Sequence, residues 1–128
     1  MKRFKKLYEY VVDIQLDYQF LEHVSINEET KIVLFELLVL HNGEEDWLIR
    51  DTKPLDIEWR SWKIKDFLLG VIEAEITNLI CELNLNRNIF EKLDNGFKVN
   101  GKEFLLKDRK YAELREKVLK EVKKYALH

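Results

Sequence analysis

From Tyr8 to Phe20 the chain alternates. Tyr8, Tyr10, Val12, Ile14, Leu16, Tyr18 and Phe20 fall on one parity, while Glu9, Asp13, Gln15, Asp17 and Gln19 occupy the other. A period of two places the apolar set on one face of an extended strand. A helical spacing of Phe4, Leu7, Tyr8, Val11 and Val12 competes at its start, so the first residue of this strand is open. Lys31 to Leu40 is apolar on both parities, which predicts a strand covered on both sides. Asn42-Gly43 tolerates the positive φ angles of a tight turn, and Asp46 to Arg50 then returns antiparallel.

Beyond Ser61 the period changes to that of a helix. Ile64, Phe67, Leu68, Val71, Ile72, Ile76, Leu79, Ile80 and Leu83 share one face of a long element ending near Asn84. The segment from Asn86 predicts a further short helix closed at Asn95-Gly96. Phe97 to Leu106 repeats the hairpin signature around Asn100-Gly101. A last helix is expected from Asp108 as its N-cap, with Tyr111, Leu114, Val118, Val122 and Tyr125 as the apolar stripe and lysines in the final turns. The expected architecture is α+β: an antiparallel sheet of three N-terminal strands plus a small C-terminal hairpin, packed with one long central helix and a C-terminal helix. Residues 1–128 are expected to form a single domain.

Composition narrows the classes. With 46% hydrophobic and 36% charged residues, and no apolar stretch approaching the roughly 20 residues of a membrane span, the chain is expected to be soluble. "MKRFKKLYEY" lacks the apolar core and cleavage site of a secretory signal, which points to the cytoplasm. The single cysteine, Cys81, excludes an intramolecular disulfide and a zinc site of paired cysteines, and its place near the apolar face predicts a small buried thiol.

The formal net charge of −2 is too small to steer the whole chain to nucleic acid. Charge divides as 9 basic and 13 acidic residues up to Ile64 and 13 basic and 11 acidic beyond it. Lys2, Arg3, Lys5 and Lys6 could join Lys117, Lys120, Lys123 and Lys124 in a basic patch, with Phe4 and Tyr8 interleaved. Glu113, Glu116 and Glu121 alternate with those C-terminal lysines, as on an ordinary solvated helix, so nucleic-acid binding through the basic termini ranks third among the readings.

Candidate chemistry is sparse. GxSxG, P-loop, dinucleotide-binding and HExxH motifs are all missing, and no catalytic residue, cofactor or metal is assigned. His41 beside Glu44, Glu45 and Asp46 matches no metal-loop spacing and reads as a solvated turn. Asp51, Glu58 and Arg60 resemble the carboxylate and Glu-x-Lys core of restriction-type nucleases only in outline, since Arg60 replaces the lysine and Pro54 intervenes. Glu36 is the conspicuous polar residue of its strand. A two- or four-residue loop at Asn42-Gly43 would set Asp51 on the same face, where paired carboxylates could serve a small ligand, a cation or acid–base chemistry. Neutralisation of Glu36 by a nearby basic residue is the plainer alternative. Glu75, on the helix's apolar stripe, is expected to reach solvent or pair with a basic residue.

Trp47, Arg50, Trp59, Arg60 and Trp62 concentrate residue types enriched at binding hot spots. Closure of one end of the core by the indoles competes with that reading. The first expectation is therefore a non-catalytic protein-interaction domain, of inhibitor, immunity or adaptor type, docking on another protein through this segment. An enzyme using Glu36 and Asp51 is the second, and an open strand edge with a heptad-like last helix leaves room for a homodimer.

Overall fold

Two Asn-Gly pairs punctuate the chain. Asn42 and Gly43 have φ angles of 52° and 81°, Asn100 and Gly101 of 50° and 80°, and each pair closes a two-residue hairpin turn of the kind that demands left-handed backbone at both positions. A computed structural model describes residues 4–13, 17–52 and 59–126. Lys2, Arg3, Ile14, Gln15, Leu16, Pro54 and Glu58, invoked above, lie outside them.

The first turn joins the last two strands of a four-stranded antiparallel meander: β1 (Lys5–Val11), β2 (Asp17–Ile26), β3 (Val33–His41) and β4 (Glu44–Asp51), in sheet order β1-β2-β3-β4. The alternation from Tyr8 to Phe20 therefore spans two strands rather than one. Its face survives, because Tyr8 lies opposite Phe20 and Tyr10 opposite Tyr18. Tyr18, Phe20, Phe35, Leu37 and Val39 are buried on this side. β3 is the central strand its two-sided apolar pattern predicts, flanked by β2 and β4.

Helix α1 (Trp59–Glu82) buries Ile64, Leu68, Ile72, Ile76 and Ile80 at four-residue spacing, together with Leu69. It ends where Asn84 takes φ 55°, with Leu85 N–H donating to the Ile80 carbonyl and Asn84 N–H to that of Cys81, the two bonds that close a helix through a left-handed residue. Cys81 is exposed, correcting the expected buried thiol; it occupies the turn of the helix facing away from the buried isoleucines.

The expected short helix after Asn86 is a single 3-10 turn, Arg87–Ile89, followed by a strand, β5 (Phe90–Leu93). β5 pairs with β6 (Gly96–Val99), and β6 with β7 (Lys102–Leu105), so the small hairpin is a three-stranded sheet. Gly96 is required there, since a Cβ would collide with the Phe104 carbonyl oxygen and Leu105 Cα of β7. Helix α2 (Tyr111–Tyr125) starts later than expected. Asp108 and Arg109 take φ 50° and 59° in a preceding turn, so Asp108 is no N-cap. Tyr111, Leu114, Val118 and Val122 are buried on α2, which packs on β6 and β7.

The chain divides into two units, residues 1–64 and 65–128. The first holds the four-stranded sheet and the opening of α1; the second holds the rest of α1, the three-stranded sheet and α2. The architecture is α+β, and among the described residues no helix is long and apolar enough to cross a membrane.

Candidate interaction site

Register in the first unit is decided by a bulge. His41 lies opposite Glu44 and Leu40 opposite Glu45, but Val39 lies opposite Trp47, leaving Asp46 as the extra residue. A one-residue slip reverses every side chain beyond it. Glu36 consequently faces Arg50, and Asp51 faces Phe35 on the other side of the sheet. The expectation that Glu36 and Asp51 share a face is thus corrected: the two-residue turn is present, and the bulge cancels its parity.

Each carboxylate instead joins a different cluster. Glu36 is fully buried at the centre of a row across three strands, opposite His23 of β2 and Arg50 of β4. Arg50 Nε donates to Glu36 Oε2 at 2.9 Å, and His23 Nδ1 lies 3.2 Å from Oε1, with Phe4 stacked obliquely on the imidazole at 5.5 Å. A carboxylate removed from water requires such partners. A carboxylate-oriented imidazole is also a component of catalytic dyads, but among the described residues no hydroxyl or thiol is hydrogen-bonded to His23. Nor does any group of three or more His, Cys, Asp and Glu gather into a metal-binding set among them.

On the opposite face, Trp59 Nε1 donates to Asp51 Oδ2 at 2.8 Å and its ring packs obliquely on Phe35 at 5.9 Å. Arg60 Nε lies 3.2 Å from Glu22 Oε1. Both contacts fasten the first turn of α1 to the sheet within the first unit, so Trp59 and Arg60 are anchors of the helix start.

The remaining members of the tryptophan-rich set are open. Trp47 is 60% exposed, Trp62 53% and Leu48 37%. Exposed large apolar residues are concentrated in this unit: Val11, Val24, Ile26, Ile32, Trp47, Leu48 and Trp62 belong to residues 1–64, and Leu105 alone of the described set lies beyond. Trp47 and Leu48 are adjacent on β4, an edge strand, where they point to opposite faces of the sheet. Arg50, two residues on, keeps 58% of its side chain exposed despite its bond to Glu36. Arg50 was legible from sequence by residue type, whereas Leu48 carried no signal distinguishing it from its neighbours.

Several basic residues of the second unit are engaged by acids. Lys102 and Lys124 flank Glu121 at 3.4 and 3.5 Å, and Lys117 binds Glu113 at 2.9 Å. Burial would raise the Glu121 pKa, but the two lysines outweigh it and hold the carboxyl below its ordinary value. Glu75 pairs with Arg115 at 2.5 Å, the second of the two outcomes expected for it.

Compared with protein-family models, curated proteins and solved structures, the chain matches none.

Proposed function

We propose that this chain is a non-catalytic protein-interaction domain that docks on a partner through the β4 edge of its first unit, with Trp47 and Leu48 as the apolar contacts and Arg50 as the polar one. The observation that carries the reading is the pairing of two large exposed apolar side chains on an edge strand. Such a strand offers main-chain donors and acceptors as well as side chains, the basis of recognition by strand addition. Trp62 adds a further exposed indole on the opening of α1. The bonds of Trp59 and Arg60 support a subsidiary role for them: they hold the scaffold rather than meet the partner.

The reading is tested by quantitative affinity capture, comparing the unaltered chain with Trp47→Ser/Leu48→Ser and with Trp62→Ser. Each is first checked for native circular dichroism. A protein recovered in near-equal amount by the unaltered chain and lost with the β4 variant supports docking through this edge. Equal recovery by all three removes β4 from the interface.

A further inference from the structure

We propose that the partner taken up by the β4 edge is an extended, basic segment of another protein, with two successive Lys or Arg residues beside a run of β-branched or aromatic ones. The inference rests on the reading of β4 as the docking edge and names the chemistry that fills it.

Along β4 the side chains fall into two blocks. Glu44, Glu45 and Asp46 open the strand, and Trp47, Leu48 and Ile49 follow. Register divides each block between the faces of the sheet. Glu44, Trp47 and Ile49 lie opposite His41, Val39 and Leu37 on one side, while Glu45 and Leu48 lie opposite Leu40 and Leu38 on the other. Each face therefore runs from acid to apolar, with Asp46 added by the bulge at the junction. A strand laid on this edge projects successive side chains to alternate faces. Two successive cations in it reach the acids on both sides, and the residues beside them cover Trp47, Leu48 and Ile49.

The acids are unanswered within the fold. Among the described residues Glu44, Glu45 and Asp46 form no ion pair, and all three are exposed. Arg50, the basic residue of β4, already meets buried Glu36 at 2.9 Å and stands toward the other end of the strand. The first unit carries 13 acidic against 9 basic residues, so its field favours the approach of a cation before contact. Trp47 adds to the preference. Its ring is 60% exposed beside Asp46, and an indole face attracts an ammonium or a guanidinium.

Other occupants fit less well. A nucleic acid, an anionic membrane or an acidic peptide meets repulsion at this end of the strand. A second β4 edge brings four acids, Asp51 included, against four. A divalent cation requires carboxylates that converge, whereas Glu44 and Glu45 project to opposite faces.

The test uses a displayed library of random linear peptides, selected on the full chain at low salt. Enriched peptides are expected to carry two adjacent Lys or Arg residues beside Val, Ile, Thr or aromatic ones, in either order, the order reporting the direction of the added strand. Fluorescence anisotropy of a selected peptide is expected to show binding weakened about tenfold by Glu44→Lys/Glu45→Lys/Asp46→Lys and by a smaller factor with Glu44→Gln/Glu45→Gln/Asp46→Asn, each variant keeping native circular dichroism. Proline inside the peptide's apolar run is expected to lower affinity, because it removes a donor to the ladder. Three results overturn the proposal: no enrichment, enriched peptides without basic residues, or binding unchanged by the charge-reversed variant. If peptides without basic residues are selected and lose their binding to Trp47→Ser/Leu48→Ser, the docking edge stands and only its assigned occupant fails. If basic peptides bind Trp47→Ser/Leu48→Ser as tightly as the unaltered chain, the docking edge itself fails.

Discussion

Arg50 sits directly across the strand pair from Glu36, its Nε 2.9 Å from a carboxylate oxygen that is wholly removed from water. The pair is asymmetric: the acid is buried and the base is more than half exposed. Removing the base takes the Arg50 hydrogen bond and its charge from a buried carboxylate, and the cost is mainly that of weakening the compensation of a charge removed from water. Arg50→Ala is expected to lower stability by about 1–3 kcal/mol in urea unfolding. Glu36→Leu/Arg50→Met is expected to recover much of that loss, because neither charge then requires a partner. A double variant as unstable as Arg50→Ala would show that the loss comes from packing around Arg50.

Trp59 and Asp51 make the corresponding contact on the other face. Trp59→Phe keeps an aromatic ring against Phe35 and removes the bond to a charged acceptor, with an expected cost of about 1.5–3 kcal/mol. Trp47→Ala and Trp62→Ala are expected to cost no more than about 0.5 kcal/mol each, as exposed substitutions do. Acrylamide quenching of single-tryptophan variants checks the same distinction, with Trp47 and Trp62 quenched more readily than Trp59.

Glu121 gives the second unit a defined acid sensitivity. Burial pushes its carboxyl up, Lys102 and Lys124 pull it down further, and the net folded pKa lies below the ordinary value of 4.5. A carboxyl with a depressed folded pKa stabilises the fold above its unfolded pKa and loses that contribution as pH falls through the folded pKa. Glu121→Gln is therefore expected to be less stable than the unaltered chain above about pH 4.5 and to converge with it at lower pH. Thermal unfolding between pH 2.5 and 7 reads this directly; curves that stay parallel across the range would assign Glu121 no linked proton.

Gly96 is expected to tolerate no side chain. Its missing Cβ is where β7 passes, and the obstacle is backbone, which cannot rotate aside. Gly96→Ala is expected to destabilise the second unit by on the order of 3 kcal/mol, and Gly101→Ala by less, since Gly101 has open space and only its φ of 80° opposes the change. Amide exchange of β6 and β7 distinguishes the two.

The sequence was informative wherever one local preference decided the outcome. The 3.6 period marks α1 because its buried isoleucines recur every four residues, and both Asn-Gly turns are legible because few other pairs take two successive left-handed conformations. Strand count was harder: Tyr8, Tyr10, Tyr18 and Phe20 keep one face across a strand pair, so alternation reports the face without the chain reversal. The bulge at Asp46 left no compositional trace, yet it alone decides that Glu36 faces Arg50 and that Asp51 lies on the other side of the sheet. β5 was hidden because Phe90 and Leu93 are three residues apart, which suits one helical turn as well as a short strand whose pairing comes from β6. The roles of Trp59 and Arg60 depend on acids eight and thirty-eight positions away in the chain, Asp51 and Glu22, and no local pattern reaches that far.

The most direct measurement for the docking edge is amide hydrogen exchange across residues 44–51, with the full chain alone at low concentration and then in its isolated complex with the captured protein. β4 is an edge strand, so its amides on the side away from β3 have no ladder partner among the described residues. Alternate amides of β4 are expected to slow in the complex, with the largest change between Trp47 and Arg50. Unchanged exchange in β4, with protection appearing elsewhere in the chain, would contradict the account.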